Sequence, residues 1–213
     1  VRPGDVAIEC GSHHGCTAIL LANWVTNKGI VHAFEPGINN YKILKDNISL
    51  NNIENIIPLN EAVGDKNCVI KFAEFNNSSM GSKVATSNNE FSKNQANTYD
   101  IKQVSLDTLS IKPDFIKIDT QGYVYQPLLG AKTIIEEYKP NLALELDSRN
   151  VVNHYGDNFD KIFDLIDQDA YIYFIQFEDE EPEKIDLSNV LIEWEKRNKF
   201  EKEIHLFAKN IKK

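Results

Sequence analysis

Cysteine and positive charge are both scarce in this sequence of 213 residues. The chain has 3 cysteines, Cys10, Cys16 and Cys68, and so small and odd a number does not predict a disulfide scaffold. Its 23 lysines and arginines face 32 acidic residues, which gives a formal net charge of −9. Because an acidic surface repels phosphate backbones and no basic stripe offsets it, we expect no nucleic-acid partner.

Long apolar runs are also missing from the sequence. No stretch approaches the ~20 apolar residues that cross a bilayer, and residues 1–5 lack the features of a signal peptide. We therefore expect a cytoplasmic protein without a membrane partner. The hydrophobic share of 42% is typical of a globular protein, and the length favours a single domain over residues 1–213. Because the first residue is Val1 rather than Met, we expect the domain to lack an N-terminal helix.

Apolar blocks alternate with amphipathic segments along most of the chain. The blocks predict strands at 5–10, 30–34, 56–60, 114–119 and 141–146. The amphipathic segments predict helices at 15–25, 38–48, 128–135 and from 157 or 158 to 166. Strand and helix therefore alternate as in a series of βαβ units, and Trp24 and Phe34 are assigned to the core of this α/β arrangement.

The end of the chain departs from this alternation. Segments 171–177 and 203–208 predict two strands with no convincing long helix between them. Two strands joined in this way are typically antiparallel neighbours. The fold class predicted is therefore α/β, with a Rossmann-like sheet of seven strands that is mostly parallel and ends in an antiparallel C-terminal pair.

A long polar stretch, residues 76–99, lies between an extra predicted strand at 68–75 and the fourth main strand. It is rich in Asn and Ser, and a loop of this length without secondary structure is uncommon in a compact domain unless it is functional or mobile. Two interpretations remain open, a lid on the acceptor side of a site and a mobile surface insertion.

The loop after the first predicted strand contains two glycines, Gly11 and Gly15. Loops at this position bind ligands in open α/β sheets. The spacing is not G-x-G-x-x-G, so no middle glycine lets a pyrophosphate approach the backbone. Amides near the helix N-terminus can hold a carboxylate, and Glu9 adds negative charge beside them. This mixed polarity matches the carboxylate, ammonium and sulfonium of S-adenosylmethionine.

Two further acidic residues follow predicted strands. Glu35, with Pro36 after it, ends the second strand, where a carboxylate can accept both hydroxyls of a ribose; the alternative is a strand-end residue that faces water. Asp119 closes the fourth strand. The order of elements along the chain resembles that of class I methyltransferases, whose strand order 3-2-1-4-5-7-6 makes the first and fourth strands neighbours, so this resemblance implies that Glu9 and Asp119 meet at one crevice. The alternative for Asp119 is a cap on the next helix.

These motifs resemble the FkbM family of S-adenosylmethionine-dependent methyltransferases, and the strand order is similar to that of class I methyltransferases generally. The similarity runs from about Gly4 to Glu145 and is weaker through the last two strands. It is carried by the segments 6–17, 31–36, 60–65, 105–109 and Phe115-Ile-Lys-Ile-Asp-Thr-Gln-Gly122, followed by Gly130 and Ala131.

The resemblance implies an O-methyltransferase that acts on a hydroxyl of a sugar, a glycan or a polyketide-like small molecule, with S-adenosylmethionine as cofactor. It places around the methionine part of the cofactor Glu9, Gly11, Ser12, His13 and Gly15. It also implies that Glu35 and Pro36 lie at the ribose, Ala62 and Val63 at the adenine edge, and Asp119 on the active-site side. The chain departs from the family pattern in having Glu9 for Asp, His13 for Asn and Gln121 for Glu.

An alcohol loses a proton when it is methylated, so the site needs a base. Asp119 and Glu145 are the candidate catalytic residues, and His13 and His14 are further candidates. The cluster Cys10, His13, His14 and Cys16 lacks the spacing of a zinc site, so no metal is expected.

Three other functions fit parts of the pattern. An NAD-dependent oxidoreductase would use the same strand, loop and acidic residue, and a non-catalytic cofactor-binding module would need no base. A nucleic-acid methyltransferase is disfavoured, because base-methylating enzymes of this fold commonly carry an Asn/Asp-Pro-Pro-aromatic segment after the fourth strand, where this chain reads Asp119-Thr-Gln-Gly122.

Overall fold

Alternating strands and helices build the first half of the protein. The computed structural model describes residues 1–75, 81–85, 96–146, 155, 159–166, 168–177, 180–197 and 204–211. The first elements are β1 Val6–Cys10, α1 Cys16–Val25, β2 Ile30–Phe34, α2 Ile38–Leu50 and β3 Ile56–Leu59. The next are β4 Ala62–Val63, β5 Cys68–Phe75, β6 Lys83–Val84, β7 Ala96–Val104 and β8 Phe115–Ile118.

The second half adds shorter helices and the last strands of the main sheet. Its elements are α3 Tyr125–Leu129, α4 Lys132–Tyr138, β9 Asn141–Leu146, α5 Phe159–Phe163, β10 Tyr171–Phe177, β11 Glu183–Ile185, α6 Val190–Arg197 and β12 Ile204–Asn210. The predicted start of α5 at 157 or 158 lies outside the described residues. Among the described residues, no helix is long and apolar enough to cross a membrane.

The main sheet has eight strands in the order β3-β2-β1-β8-β9-β12-β10-β11. The first five of these pair in parallel, and β12 runs antiparallel to both β9 and β10. The predicted order and the antiparallel pair are therefore present, but the expectation of seven strands was wrong. The eighth strand is β11, which follows β10 in the chain and pairs antiparallel with it, and α6 comes after β11.

A second sheet, of four strands in the order β4-β7-β5-β6, was not predicted. Its main pair is antiparallel, with Cys68 opposite Gln103 and Phe75 opposite Ala96. Residues 96–99, which the sequence assigned to a polar loop, therefore belong to β7. The predicted lid falls mostly on 76–80 and 86–95, which lie outside the described residues.

Two apolar clusters cover the two faces of the main sheet. The larger one joins β8, β9, β10 and β12 to α3, α4 and α5, and includes Phe34, Ile116 and Leu144. The smaller one packs α1 and α2 on the other face of β1 and β2. Phe34 is fully buried as predicted, whereas Trp24 is 55% exposed on the outer side of α1, so its assignment to the core was wrong.

Candidate active site

The glycine loop is held tightly against the end of β2. The amides of Gly11 and Ser12 both donate to the carbonyl oxygen of Phe34 at 2.9 Å, and the amide of Gly15 donates to the Ser12 carbonyl at 2.7 Å. The amide of His13 donates to Glu35 Oε2 at 2.7 Å. These four N–H groups already have acceptors within the protein. The loop can therefore shape a ligand site, but these amides are not available to bind an anion.

Gly11 is required where β1 and β8 end side by side. Its φ is +86°, a left-handed conformation, and a Cβ at this position would overlap the backbone carbonyl of Asp119. A Cβ on Gly15, which has a φ of +89°, would overlap the side chain of Leu44 on α2. The two glycines thus let the loop approach β8 and α2 more closely than any other residue would allow.

Glu35 is buried beneath the loop rather than exposed to water. Its side chain is 4% exposed, which excludes the solvent-facing alternative. Oε1 accepts the amide of Gly37 at 2.8 Å, and Oε2 accepts the amide of His13 at 2.7 Å. Burial raises the pKa of Glu35 to about 7, although these amides and the Asn40 side chain oppose the shift. Oε1 also accepts the side-chain amide of Asn40 at 3.5 Å, so the lone pair that can accept a further donor is on Oε2.

The second sheet fixes the start of α2 beside Glu35. Glu74 on β5 accepts the backbone amide of Asn39 and its side-chain amide, both at 3.0 Å. The hydroxyl of Tyr99 on β7 accepts the amide of Ile38 at 2.9 Å. Residues of β5 and β7 therefore satisfy amides of the first turn of α2, which otherwise have no partner within a helix.

A cleft opens between the glycine loop, the end of β2 and the second sheet. Its open volume, including the part continuous with solvent, is about 820 Å³. Seven of the predicted site residues line it, namely Gly11, His13, Glu35, Pro36, Ala62, Val63 and Asp119. Glu9, Ser12, Gly15 and Glu145 do not line it, and all four are buried.

A lysine that sequence reasoning missed links the predicted acids. Lys117 Nζ lies 2.7 Å from Asp119 Oδ2 and 3.4 Å from Glu9 Oε1. Asp119 therefore pairs with Lys117. Among the described residues, no side chain caps the N-terminus of α3, so the alternative role of Asp119 as a helix cap was wrong. The signal was available, because a charged residue in the otherwise apolar strand 115–118 is unusual unless it has a partner.

Lys117 and the carboxylates around it shift one another's pKa values. Burial would raise the pKa of Asp119, but Lys117 and a hydrogen bond from Glu145 outweigh it and lower the pKa. Burial would lower the pKa of Lys117, but Glu9 and Asp119 raise it. Asp119 is therefore ionised at neutral pH, whereas burial raises the pKa of Glu9 despite Lys117.

The two histidines of the loop stack on each other. The ring centroids of His13 and His14 are 3.7 Å apart, with an angle of 22° between the planes. His13 lines the cleft from a left-handed backbone conformation with a φ of +49°. Burial, and then the charge of His14, lower its pKa, so the imidazole of His13 is neutral at neutral pH.

The wall formed by the second sheet also escaped sequence reasoning. Phe72, Ser82, Lys83 and Val84 line the cleft opposite the loop. The mixed apolar and polar pattern of 68–75 predicted a strand, but no local signal showed that it turns toward the ends of β1 and β2. Among the described residues, no group of three or more His, Cys, Asp or Glu side chains could hold a metal ion.

The sequence profile of the methyltransferase FkbM domain matches residues 9–173, which is most of the chain. The chain belongs to the FkbM methyltransferase family. This assignment makes S-adenosylmethionine the cofactor and does not favour the nicotinamide alternative. A search of curated protein sequences found no match to this chain.

Solved structures of low sequence identity share the fold of this FkbM domain. The methyltransferase FkbM from Methylobacillus flagellatus KT superposes with a TM-score of 0.60 at 17% identity, over 98% of this chain and 44% of that one. This chain thus spans less than half the length of that relative. Precorrin-6y C5,15-methyltransferase from Geobacter metallireducens GS-15 gives 0.54 at 12% identity, over 99% and 82% of the two chains. SMU.1697c from Streptococcus mutans, solved in complex with SAH, gives 0.51 at 11% identity, over 98% and 90%.

The lining of the cleft of the FkbM domain fits S-adenosylmethionine in chemistry. Ala62, Val63 and Phe72 give it an apolar wall beside the polar groups of Glu35 and Asp119. Thr120 lines the cleft, and among the described residues its Oγ1 is a buried polar atom without a hydrogen-bond partner. A buried polar atom without a partner is costly, so this hydroxyl can serve a polar ligand.

Proposed function

We propose that this domain transfers a methyl group from S-adenosylmethionine to a hydroxyl of a sugar, a glycan or a polyketide-like small molecule. The observation that carries the proposal is the position of Asp119, an ionised side chain that lines the cleft beside Gly11. A carboxylate there can accept the proton of an alcohol while the cleft holds the methyl donor beside it.

The cofactor-binding roles form one side of the proposal. Glu35 accepts the ribose hydroxyls at Oε2, which keeps a lone pair, and Pro36 borders the same part of the cleft. Ala62 and Val63 contact the adenine edge. Gly11 and His13 surround the methionine part within the cleft.

Glu9, Ser12 and Gly15 have a supporting role in cofactor binding, because they do not line the cleft. Ser12 Oγ donates to the Glu9 carbonyl at 3.5 Å, and Glu9 keeps Lys117 in place from below. Gly15 lets α2 approach the loop, because a Cβ at this position would overlap the side chain of Leu44.

The acceptor side of the cleft suits a hydroxylated ring. Tyr123 presents an aromatic ring there, and its hydroxyl donates to Gln103 Oε1 at 2.9 Å. Gln121 and Asp119 supply polar groups next to that ring. An aromatic face flanked by polar side chains can hold a molecule that has both an apolar face and several hydroxyls. We further propose that the domain works in the cytoplasm on a small molecule or glycan, without a nucleic-acid or membrane partner.

A transfer assay with radiolabelled S-adenosylmethionine tests the activity. The acceptors are a panel of monosaccharides, oligosaccharides, polyketide-like alcohols and, as a separate arm, RNA and DNA. We expect label in a hydroxylated small molecule or glycan, and a loss of about 10²-fold or more with Asp119→Asn. Label in nucleic acid alone would overturn the acceptor class, and cofactor binding without any transfer would favour a non-catalytic binding module.

Calorimetric titration with S-adenosylhomocysteine tests the ribose assignment. We expect Glu35→Ala to weaken binding by about tenfold or more, since it removes charge-assisted hydrogen bonds. Glu54→Ala, a change of the same type at an exposed position after α2, is the matched control and should leave the affinity unchanged. Equal affinities of the two variants would remove Glu35 from the ribose site.

A further inference from the structure

A row of ionisable side chains crosses the main sheet at the carboxyl ends of its parallel strands. Glu9 on β1 stands opposite Lys117 on β8, and Glu145 on β9 stands opposite His205 on β12. Asp119 follows β8 two residues after Lys117, so both side chains leave the sheet on the same face. The row therefore leads from the cleft, which Asp119 lines, to β12 in the antiparallel part of the sheet.

The row contains more buried carboxylates than cations. Glu9 and Glu145 are 1% and 5% exposed, and the Asp119 side chain is 32% exposed. Lys117 is the one lysine that contacts this group among the described residues, and it lies closer to Asp119 than to Glu9. Because a buried charge without a partner is costly, the three carboxyl groups are not all ionised at once.

Asp119 and Glu145 are adjacent at the ends of β8 and β9. Ile118 stands opposite Leu144 in the parallel register of these strands, so the next residue of each strand, Asp119 and Glu145, projects from the same face of the sheet. Two carboxyl groups at such adjacent positions are favoured when one of them carries a proton. Lys117 stabilises the ionised form of Asp119, so Glu145 is the partner that carries the proton. His205 stands opposite Glu145 on β12.

We propose that Asp119 and Glu145 share one proton and act together as the base of the methyl transfer, with His205 as the outlet for the proton. This inference rests on the proposed function and extends it to the residues that move the proton. In the step, the acceptor oxygen forms a bond to the methyl carbon, the carbon–sulfur bond breaks, and its electron pair stays on sulfur. The hydroxyl proton passes to Asp119, and the Glu145 proton passes to the imidazole of His205.

Lys117 is a positioning residue in this scheme, because it acts through Asp119 rather than on a ligand. Its contact at 2.7 Å fixes the rotamer of Asp119 and determines which carboxyl group of the pair is ionised. Besides Lys117 and His205, the charged or titratable groups around the pair are Glu9, through Lys117, and His13 from the glycine loop.

Carbon-13 NMR of the carboxyl groups tests the shared proton in the protein without ligand. We expect the resonances of Asp119 and Glu145 to titrate together in two steps, as coupled carboxyl groups do. In Glu145→Gln, Asp119 should titrate in a single step, and the ring resonances of His205 should shift. Glu136→Gln, an exposed change of the same type on α4, is the control and should alter neither.

Independent single-step titrations of the two carboxyl groups in the unaltered protein would overturn the proposal, whether or not the variant folds. Binding of S-adenosylhomocysteine to the same samples separates this failure from a failure of the proposed function. With the acceptor identified in the transfer assay, Glu145→Gln should lower kcat by about 10²-fold with KM unchanged within about twofold, and the acidic limb of the pH profile should move. An equal loss through KM alone would assign Glu145 a structural role and contradict the relay.

Discussion

The carbonyl oxygen of Asp119 occupies the place where Gly11 would carry a side chain. The loop that follows β1 and the residue that follows β8 are therefore in direct backbone contact. This contact brings the proposed base to the glycine loop, and it makes the distance between them sensitive to a single methyl group.

Gly11→Ala should weaken cofactor binding strongly. The added Cβ must displace the Asp119 backbone, and the left-handed φ of +86° adds strain of about 1 kcal/mol or more. We expect a loss of affinity for S-adenosylhomocysteine of at least about tenfold, measured by calorimetry. Gly4→Ala separates the two causes, because Gly4 has a φ of +95° and its nearest neighbour for a Cβ is 4.0 Å away. The same affinity loss in Gly4→Ala would contradict a local effect of the overlap.

Glu35 should make cofactor binding depend on pH near neutrality. Its pKa is raised by burial to about 7, and the ionised form is the one that accepts two ribose hydroxyls. Affinity for S-adenosylhomocysteine should therefore rise with pH, by up to about tenfold per unit, and level off above the pKa. Calorimetry from roughly pH 6 to 8.5 measures this, and Glu35→Gln should flatten the curve. An unchanged slope in the variant would assign the titration to another group.

The same pKa shift has a defined sign for stability. Because the folded-state pKa of Glu35 is raised from 4.5 to about 7, the folded protein binds a proton in this window that the unfolded chain has released. The contribution of Glu35 to the free energy of unfolding should therefore fall as pH rises from 4.5 to 7 and stay constant above it. The difference between wild type and Glu35→Gln in urea unfolding, followed against pH, measures this term.

Lys117→Met should be strongly destabilising. It leaves the buried carboxylate of Glu9 and the partly exposed carboxylate of Asp119 without their cation, and loss of the partner of a buried charge costs about 3–5 kcal/mol in the free energy of unfolding. Lys71→Met is the matched control, because Lys71 also lies 2.7 Å from a carboxylate, that of Asp100, but on the surface, with both side chains at least 60% exposed. We expect a loss below about 1 kcal/mol in the control. Similar losses in both variants, by urea unfolding, would contradict a special role for burial.

Trp24→Ala should have little effect on stability although it removes the largest kind of side chain. Trp24 is 55% exposed on α1, whereas its neighbour three positions earlier, Leu21, is 1% exposed. We expect a change within about 1 kcal/mol for Trp24→Ala and a loss of about 2–5 kcal/mol for Leu21→Ala. Thermal unfolding of the two variants compares them, and a larger loss at Trp24 would mean that the outer side of α1 is covered in solution.

The sequence predicted best the residues that follow short buried strands. Glu35 and Asp119 each come directly after an apolar block, and the βα order alone places such residues at one edge of a parallel sheet. Both line the cleft, as this placement requires. The strand order of the main sheet came from the resemblance to class I methyltransferases, and the observed order of β3, β2, β1, β8, β9, β12 and β10 agrees with it.

The features that sequence reasoning missed depend on contacts between distant segments. The start of β7 lies in a polar stretch whose composition suggested a loop. It forms a strand because it pairs with β5, and this pairing cannot be seen in the local sequence. The helical period around Trp24 shows an apolar stripe but not which edge of the stripe faces the sheet. The function of Lys117 is likewise invisible until Glu9 and Asp119 are brought to either side of it.

The position of β12 has a consequence for the order of folding. This strand, residues 204–210, lies between β9 and β10 and is the neighbour that connects β10 and β11 to the rest of the main sheet. During synthesis, β12 leaves the ribosome after β10 and β11. Until β12 arrives, the edge of β10 that pairs with it has no strand partner. The parallel half from β3 to β9 can assemble first, so the completion of the sheet, with His205 beside Glu145, is a late step that brings together residues far apart in sequence.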